Sequence, residues 1–304
     1  MPNPLYTDAL DLANHQGETW SKNIRGGILA KLAAQDPTIK VGSTDHFTFT
    51  GTPKAELVGE GADKSSMDGT PTKATAKTYK VQVTYRFSNE VMWEDEDYQT
   101  GIVNKLVESI ATALSRALDL IAIHGINPKT GSVSANVTQY FNKSGNGVAH
   151  VVATADPNAD IEALAEELQN NGYTATGIAF DPVFAGKLAR TRDNNGVKLY
   201  PELGLGFSID SFQGLTAASS DTVSARQELG AENATIQSIM GDFFNAFQWG
   251  VARNVPLETI EFGDPDGNGD LKRTNEIAIR AEAVLGYVIF DEKAFSMIEA
   301  PIAS

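Results

Sequence analysis

The sequence predicts an α+β protein, and three observations carry that prediction. Residues 96–124 place Val103, Leu106, Val107, Ile110, Leu114, Leu118 and Ile121 at spacings of three and four, the period of one buried helix face. Residues 80–87 and 276–290 alternate apolar and polar side chains with period two, as strands do. Between them, residues 156–250 mix helix and strand signals like a compact α/β unit.

The chain has 304 residues, enough for one large domain or two smaller ones, and 41% apolar residues, enough for a substantial core. Its net charge of -15 argues against a basic shell that grips phosphates, and an acidic surface suits a container of nucleic acid better than a reader of it. With no cysteine, disulfides, thiolate metal sites and a cysteine nucleophile are excluded. The polar N-terminus is no signal peptide, and no apolar run is long enough to span a membrane.

Taken in order, residues 1–45 read as an arm that draws its stability from whatever it lies on, with one short helix within 24–34 carrying Ile28, Leu29 and Leu32 on one side. Residues 46–91 read as a long hairpin. Phe47 and Phe49 share a face of its first strand. Val81, Val83, Tyr85 and Phe87 share a face of the second, opposite Lys80, Gln82, Thr84 and Arg86. The tip is polar and holds Glu60, Lys64 and Asp68. A lone hairpin of this length is marginal in water, so it needs a partner such as another subunit.

The helix over 96–124 would run roughly 40 Å at its ordinary rise. Its acidic start, Glu94 to Asp97, complements the macrodipole better than it builds a metal site, and Gly125 with Asn127-Pro128 ends it. A helix over 160–170, a strand over 175–180 and a second helix opened by Asp181-Pro182 make up the α/β unit. Gly204 and Gly206 are too few for a nucleotide loop. An extended segment over 256–262 leads into the loop DPDGNGDLKRTNE, after which the chain returns as a strand.

That loop has the look of a calcium site. Counted from Asp264, however, its twelfth position is Asn275, where an EF-hand needs a bidentate glutamate, and its flanks are strands. A polar hairpin tip is the better reading. The four histidines are scattered, and no nucleophile elbow, phosphate loop or zinc-protease motif is present, so no enzyme is expected.

Three stretches resemble the major capsid proteins of tailed phages with the HK97 fold: residues 88–125, residues 241–262 opening on Gly241-Asp242, and residues 273–298 with Asn275, Arg280, Glu282, Gly286, Asp291, Ala294 and Phe295. The resemblance implies an N-arm (1–45), an E-loop β-hairpin (46–91), a P-domain with a long spine helix and β-sheet (92–155 and 250–304), an α/β A-domain (156–249) and a P-loop (263–275). It implies a structural head protein that self-assembles into hexamers and pentamers of an icosahedral shell around double-stranded DNA. Such a protein sits in the virion capsid and is assembled in the host cytoplasm. No cofactor, metal or membrane is expected. Scaffolding, portal and decoration proteins are the expected partners, with scaffolding separate or absent if Met1 is the true start. Subunit contacts are expected at Glu60, Lys64, Asp68, Asp264, Asp266, Lys272 and Arg273. Some members crosslink an E-loop lysine to a neighbour's asparagine, and Lys64, Lys73, Lys77 and Lys80 lie in this hairpin without one being singled out. An encapsulin-type bacterial cargo shell is the alternative, and a calcium-dependent binding protein using residues 264–276 a more remote one.

Overall fold

The computed structural model describes residues 27–49, 55–61, 63, 71–89, 96–193, 195–203, 209–230 and 232–301. In chain order its elements are α1 (Ile28–Leu32), β1 (Ala34–Gln35), β2 (Ser43–Phe49), β3 (Pro71–Ser88), α2 (Glu96–His124), β4 (Ala149–Val152), α3 (Pro157–Asn170), β5 (Gly177–Phe180) and α4 (Pro182–Leu188). There follow β6 (Ser211–Phe212), β7 (Leu215–Ser219), α5 (Arg226–Leu229), β8 (Ile236–Gly241), β9 (Phe247–Ile260), α6 (Leu271–Thr274), β10 (Glu276–Ile289) and β11 (Phe295–Glu299). The strands form two sheets, ordered β1-β9-β10-β3-β2 and β4-β11-β8-β5-β7-β6.

The first sheet is built on β10, which pairs antiparallel with β3 from Glu276–Ser88 to Tyr287–Lys77 and with β9 on its other side. Its alternation sends Ile279, Ala281, Ala283, Leu285, Tyr287 and Ile289 into one core with Ile110, Leu114, Leu118 and Ile121 of α2. The expected hairpin is thus only partly free-standing. β2 meets β3 between Phe49–Pro71 and Ser43–Lys77, and the rest of β3 is zipped to β10 within the same chain. Val81, Val83, Tyr85 and Phe87 pack against the shared core, which explains their common face.

Helix α2 covers the expected span. Gly125 stops it in a left-handed conformation (φ +66°), and a Cβ there would lie 2.6 Å from the Tyr140 ring. Past it, Phe141 is fully buried against the rings of Phe243, Phe247 and Phe295, tying the two sheets together.

In the second sheet, α3 begins earlier than the expected residue 160, because Asp156 caps it by accepting from the Asn158 N–H (3.0 Å) and Pro157 takes the first position. Asp181 and Pro182 start α4 the same way. Ile161, Leu164 and Leu168 of α3 bury against Ile178, Phe180, Phe184 and Leu188. Strands β4 and β11 complete this sheet from outside residues 156–249.

The described part of the arm rests on its own chain. Ile28, Leu29 and Leu32 of α1 join the main core. Residues 36–39 then cross β9 and β10 where two glycines let them approach. A Cβ at Gly250 would sit 2.4 Å from the Asp36 carbonyl oxygen, and one at Gly286 would sit 2.8 Å from Ile39 Cγ2. The surface on which the described part of the arm lies is its own subunit, where Ile28, Leu29, Leu32 and Ile39 are buried. Among the described residues, no helix is long and apolar enough to cross a membrane.

Candidate functional site

Two polar constructions stand out. The first is the loop between β9 and β10. Its Leu271 is fully buried, and the Leu271 N–H donates to the Gly263 carbonyl (2.9 Å), closing the loop. Where a plain hairpin tip was expected, the chain makes the single turn α6. Asp270 caps that turn through the Lys272 N–H (2.8 Å), and Asn275 ends it in a left-handed conformation (φ +55°). The sequence DLKRTN carries this signal: a capping aspartate, an apolar anchor and a terminal asparagine.

The carboxylates that suggested calcium serve the turn. Asp264 accepts from the Gly267 N–H (2.7 Å), and Asp266 accepts from the Asn268 N–H and side-chain amide. Asp266 also pairs with Arg86 of β3 (3.0 Å), whose guanidinium donates to Glu276 (2.6 Å) and to Thr274 (3.1 Å). Hydrogen bonds from Asn268, and then Arg86, hold the Asp266 carboxyl below its usual range. Thr274, and then Arg86, do the same for Glu276. Arg280 fastens the loop from the other side, donating to the Pro265 carbonyl (2.7 Å). Arg86, which the sequence places only on the polar face of its strand, is the hub of this network.

All four expected contact residues of this loop are exposed; Asp264 and Asp266 are also engaged within their own subunit, whereas Lys272 and Arg273 pair with no carboxylate among the described residues. Lys272 lies over the ring of Phe262 (4.5 Å), a ring 66% exposed. Glu60 is exposed in a turn of the hairpin, and Lys64 and Asp68 lie outside the described residues. The described hairpin lysines are all held by their own chain: Lys73 by Asp45 (2.8 Å), Lys77 by Thr138 (3.1 Å) and Lys80 by Glu282 (2.7 Å).

The second construction joins the spine helix to the second sheet. Arg116, Asp119 and His124 of α2 reach the turn before α5. Arg116 grips Asp221 with two bonds (2.6 and 3.1 Å) and Glu228 with one (2.7 Å). Burial opposes charge on Asp221, but the Arg116 contact outweighs it and holds that carboxyl low. Asp119 accepts from Thr222 Oγ1 (2.9 Å) and from the Ile28 and Leu29 N–H groups at the start of α1 (3.1 and 3.2 Å). One buried carboxylate therefore ties spine, arm and second sheet. Complete burial pushes it up to about 6 against those bonds. His124 donates from Nε2 to the Val223 carbonyl (2.9 Å), while its buried Nδ1 has no partner, and burial pushes it down to about 4. Sequence reading followed only the apolar stripe of this helix. The clue it passed over is the set of polar residues interrupting the apolar run of its C-terminal half.

Comparison with known proteins places this architecture. The phage capsid family model matches residues 20–300. A solved structure from Mycobacterium phage Ogopogo is 41% identical, with 90% of this chain and 92% of that one covered and a TM-score of 0.79. One from Gordonia phage Cozz is 28% identical, with 91% and 86% covered and a TM-score of 0.74. A chain described as the capsid of an empty GTA particle is 15% identical, with 90% and 89% covered and a TM-score of 0.62, and so shares the fold. No curated protein sequence matches the chain. These matches favour a phage capsid over the bacterial cargo shell, and they displace the calcium-dependent binding protein as an account of the whole chain. With the HK97-type α+β fold spanning both sheets and the family match spanning nearly the whole sequence, the chain belongs to the phage capsid family as a major capsid protein.

Proposed function

We propose that this capsid protein assembles into hexamers and pentamers that close an icosahedral shell around double-stranded DNA. The observation that carries the reading is the projecting part of the β2–β3 hairpin. Beyond Lys77, β3 leaves β10 and pairs only with β2, and Phe47 on β2 is 70% exposed. Such a two-stranded arm gains stability from a surface to lie on, and identical subunits contacting through unlike surfaces close into rings. In this reading residues 1–45 are the N-arm, 46–91 the E-loop, 92–155 and 250–304 the P-domain, and 156–249 the A-domain. Residues 263–275 meet neighbouring capsomers, with Glu60, Lys64 and Asp68 of the E-loop tip and Asp264, Asp266, Lys272 and Arg273 among the contacts. The net charge of -15 supports a wall that contains DNA without holding it.

The protein's role is structural, without an enzymatic step. Assembly takes place in the host cytoplasm, with scaffolding, portal and decoration proteins as the partners. The test is electron microscopy and sedimentation of the purified chain, alone and with a scaffold candidate. Rings and closed shells are expected, and a monomer or dimer under every condition would overturn the proposal.

A further inference from the structure

The second sheet carries two charged surfaces of opposite sign that form no ion pair with each other among the described residues. Helix α3 contains no lysine or arginine, and Glu162, Glu166 and Glu167 line its exposed side. Glu162 and Glu166 are one helical turn apart, an arrangement of like charge that disfavours the isolated helix. None of the three makes an ion pair among the described residues. The same acidic field extends to the base of the neighbouring loop. There burial, and then Glu162, Glu202 and Asp156, raise the Tyr200 phenol above its ordinary value.

The second surface runs from α4 through the following turn. Lys187, Arg190, Arg192 and Lys198 stand within twelve residues of an acidic chain. No carboxylate pairs with any of them among the described residues, and only backbone carbonyls meet two: Gly186 for Arg190 (2.8 Å) and Gly196 for Arg192 (2.7 Å). Exposed apolar side chains accompany them, with Val197 63% and Leu199 44% exposed. The turn is a fixed platform. Arg192 and Lys198 form a β-bridge, Asp193 accepts from the Asn195 and Val197 N–H groups, and Tyr200 bonds Asn158 at the start of α3. That last bond joins the turn to the helix, and among the described residues no cation of this segment pairs with the helix carboxylates of its own chain.

We propose that the cationic segment 187–198 of one subunit docks on the acidic face of α3 in the next copy of the same chain, forming an unlike-surface contact that repeats around a capsomer. The inference rests on the capsomer reading above. Charge complementarity selects the partner: the cations need an acidic surface, α3 needs a basic one, and each subunit offers both. The contact sets register between neighbours, and Val197 and Leu199 give it apolar area.

The test is a charge swap in the full-length chain. Glu162→Lys/Glu166→Lys/Glu167→Lys and Arg190→Glu/Arg192→Glu/Lys198→Glu should each lower the yield of sedimenting rings and shells by about tenfold or more, because the lost contact recurs at every subunit pair. Both sets together should restore assembly, and thermal melts of the unassembled subunits should show all three variants folded. Wild-type particles with normal assembly of either triple variant would overturn the proposal and leave the capsid reading intact. So would folded triple variants that the combined chain fails to rescue. If the basic-segment variant assembles normally but retains less DNA, the segment faces nucleic acid and the proposal falls. A wild-type chain that never assembles overturns the capsomer reading instead.

Discussion

Asp119 and His124 lie on one helix and exchange protons with solvent in opposite senses. Asp119 has its pKa raised from 3.8 to about 6, so its contribution to stability is full below the unfolded value and is lost as pH rises through 6. His124 is lowered from 6.5 to about 4, so its contribution is full above 6.5 and is lost as pH falls towards 4. Each shift corresponds to roughly 3 kcal/mol. Across pH 4–6 the two slopes oppose, and the native junction is buffered against acid. Single variants should unmask each slope. Relative to wild type, His124→Gln should gain stability as pH falls from 6.5 to 4, and Asp119→Asn should lose it. Urea midpoints of unassembled subunits at several pH values would show this, and wild-type slopes in both variants would refute it.

Among the elements, legibility followed local pattern. The period of α2, the alternation of β3 and β10 and the Asp-Pro start of α4 lie in contiguous residues, and each is found where the sequence puts it. What escaped depends on partners distant in the chain. Strands β8 and β11 are short and buried on both faces, so they carry no alternation. Arg86 is a hub only because β10 brings Glu276 beside it, 190 residues away. The resemblance named Gly286 without its reason, which is the crossing of the arm. Gly250 shares that duty at a sharper approach, since the atom above it is backbone and cannot turn aside. Gly250→Ala should therefore lift residues 36–39 from the sheet and cost about 1–3 kcal/mol. A lower thermal midpoint and new tryptic cleavage after Lys40 are the expected signs, and an unchanged midpoint would show that the crossing yields without strain.

For the whole molecule, what matters is which exposed charges of the 263–275 loop lack a partner within their own subunit. Sequence reading placed acids and bases there together. In the folded subunit all five charged residues are exposed, but Asp264, Asp266 and Asp270 already accept from backbone N–H groups or Arg86, while Lys272 and Arg273 pair with no carboxylate among the described residues. A chain of net charge -15 offers acidic surface to such a patch on every neighbour, so this loop should act as a cationic contact between capsomers. Lys272→Glu/Arg273→Glu should then lower shell yield by about tenfold. The subunit's melting midpoint should stay nearly unchanged, because exposed substitutions away from packing shift stability by within about 0.5 kcal/mol. Wild-type shells should also form less readily as salt is raised, since screening acts on exposed pairs. If the double variant forms shells normally at low and high salt, the loop contributes no charge contact. If instead its subunits melt early, Lys272 and Arg273 support the loop's own fold, and the assignment of this surface to neighbouring subunits is wrong.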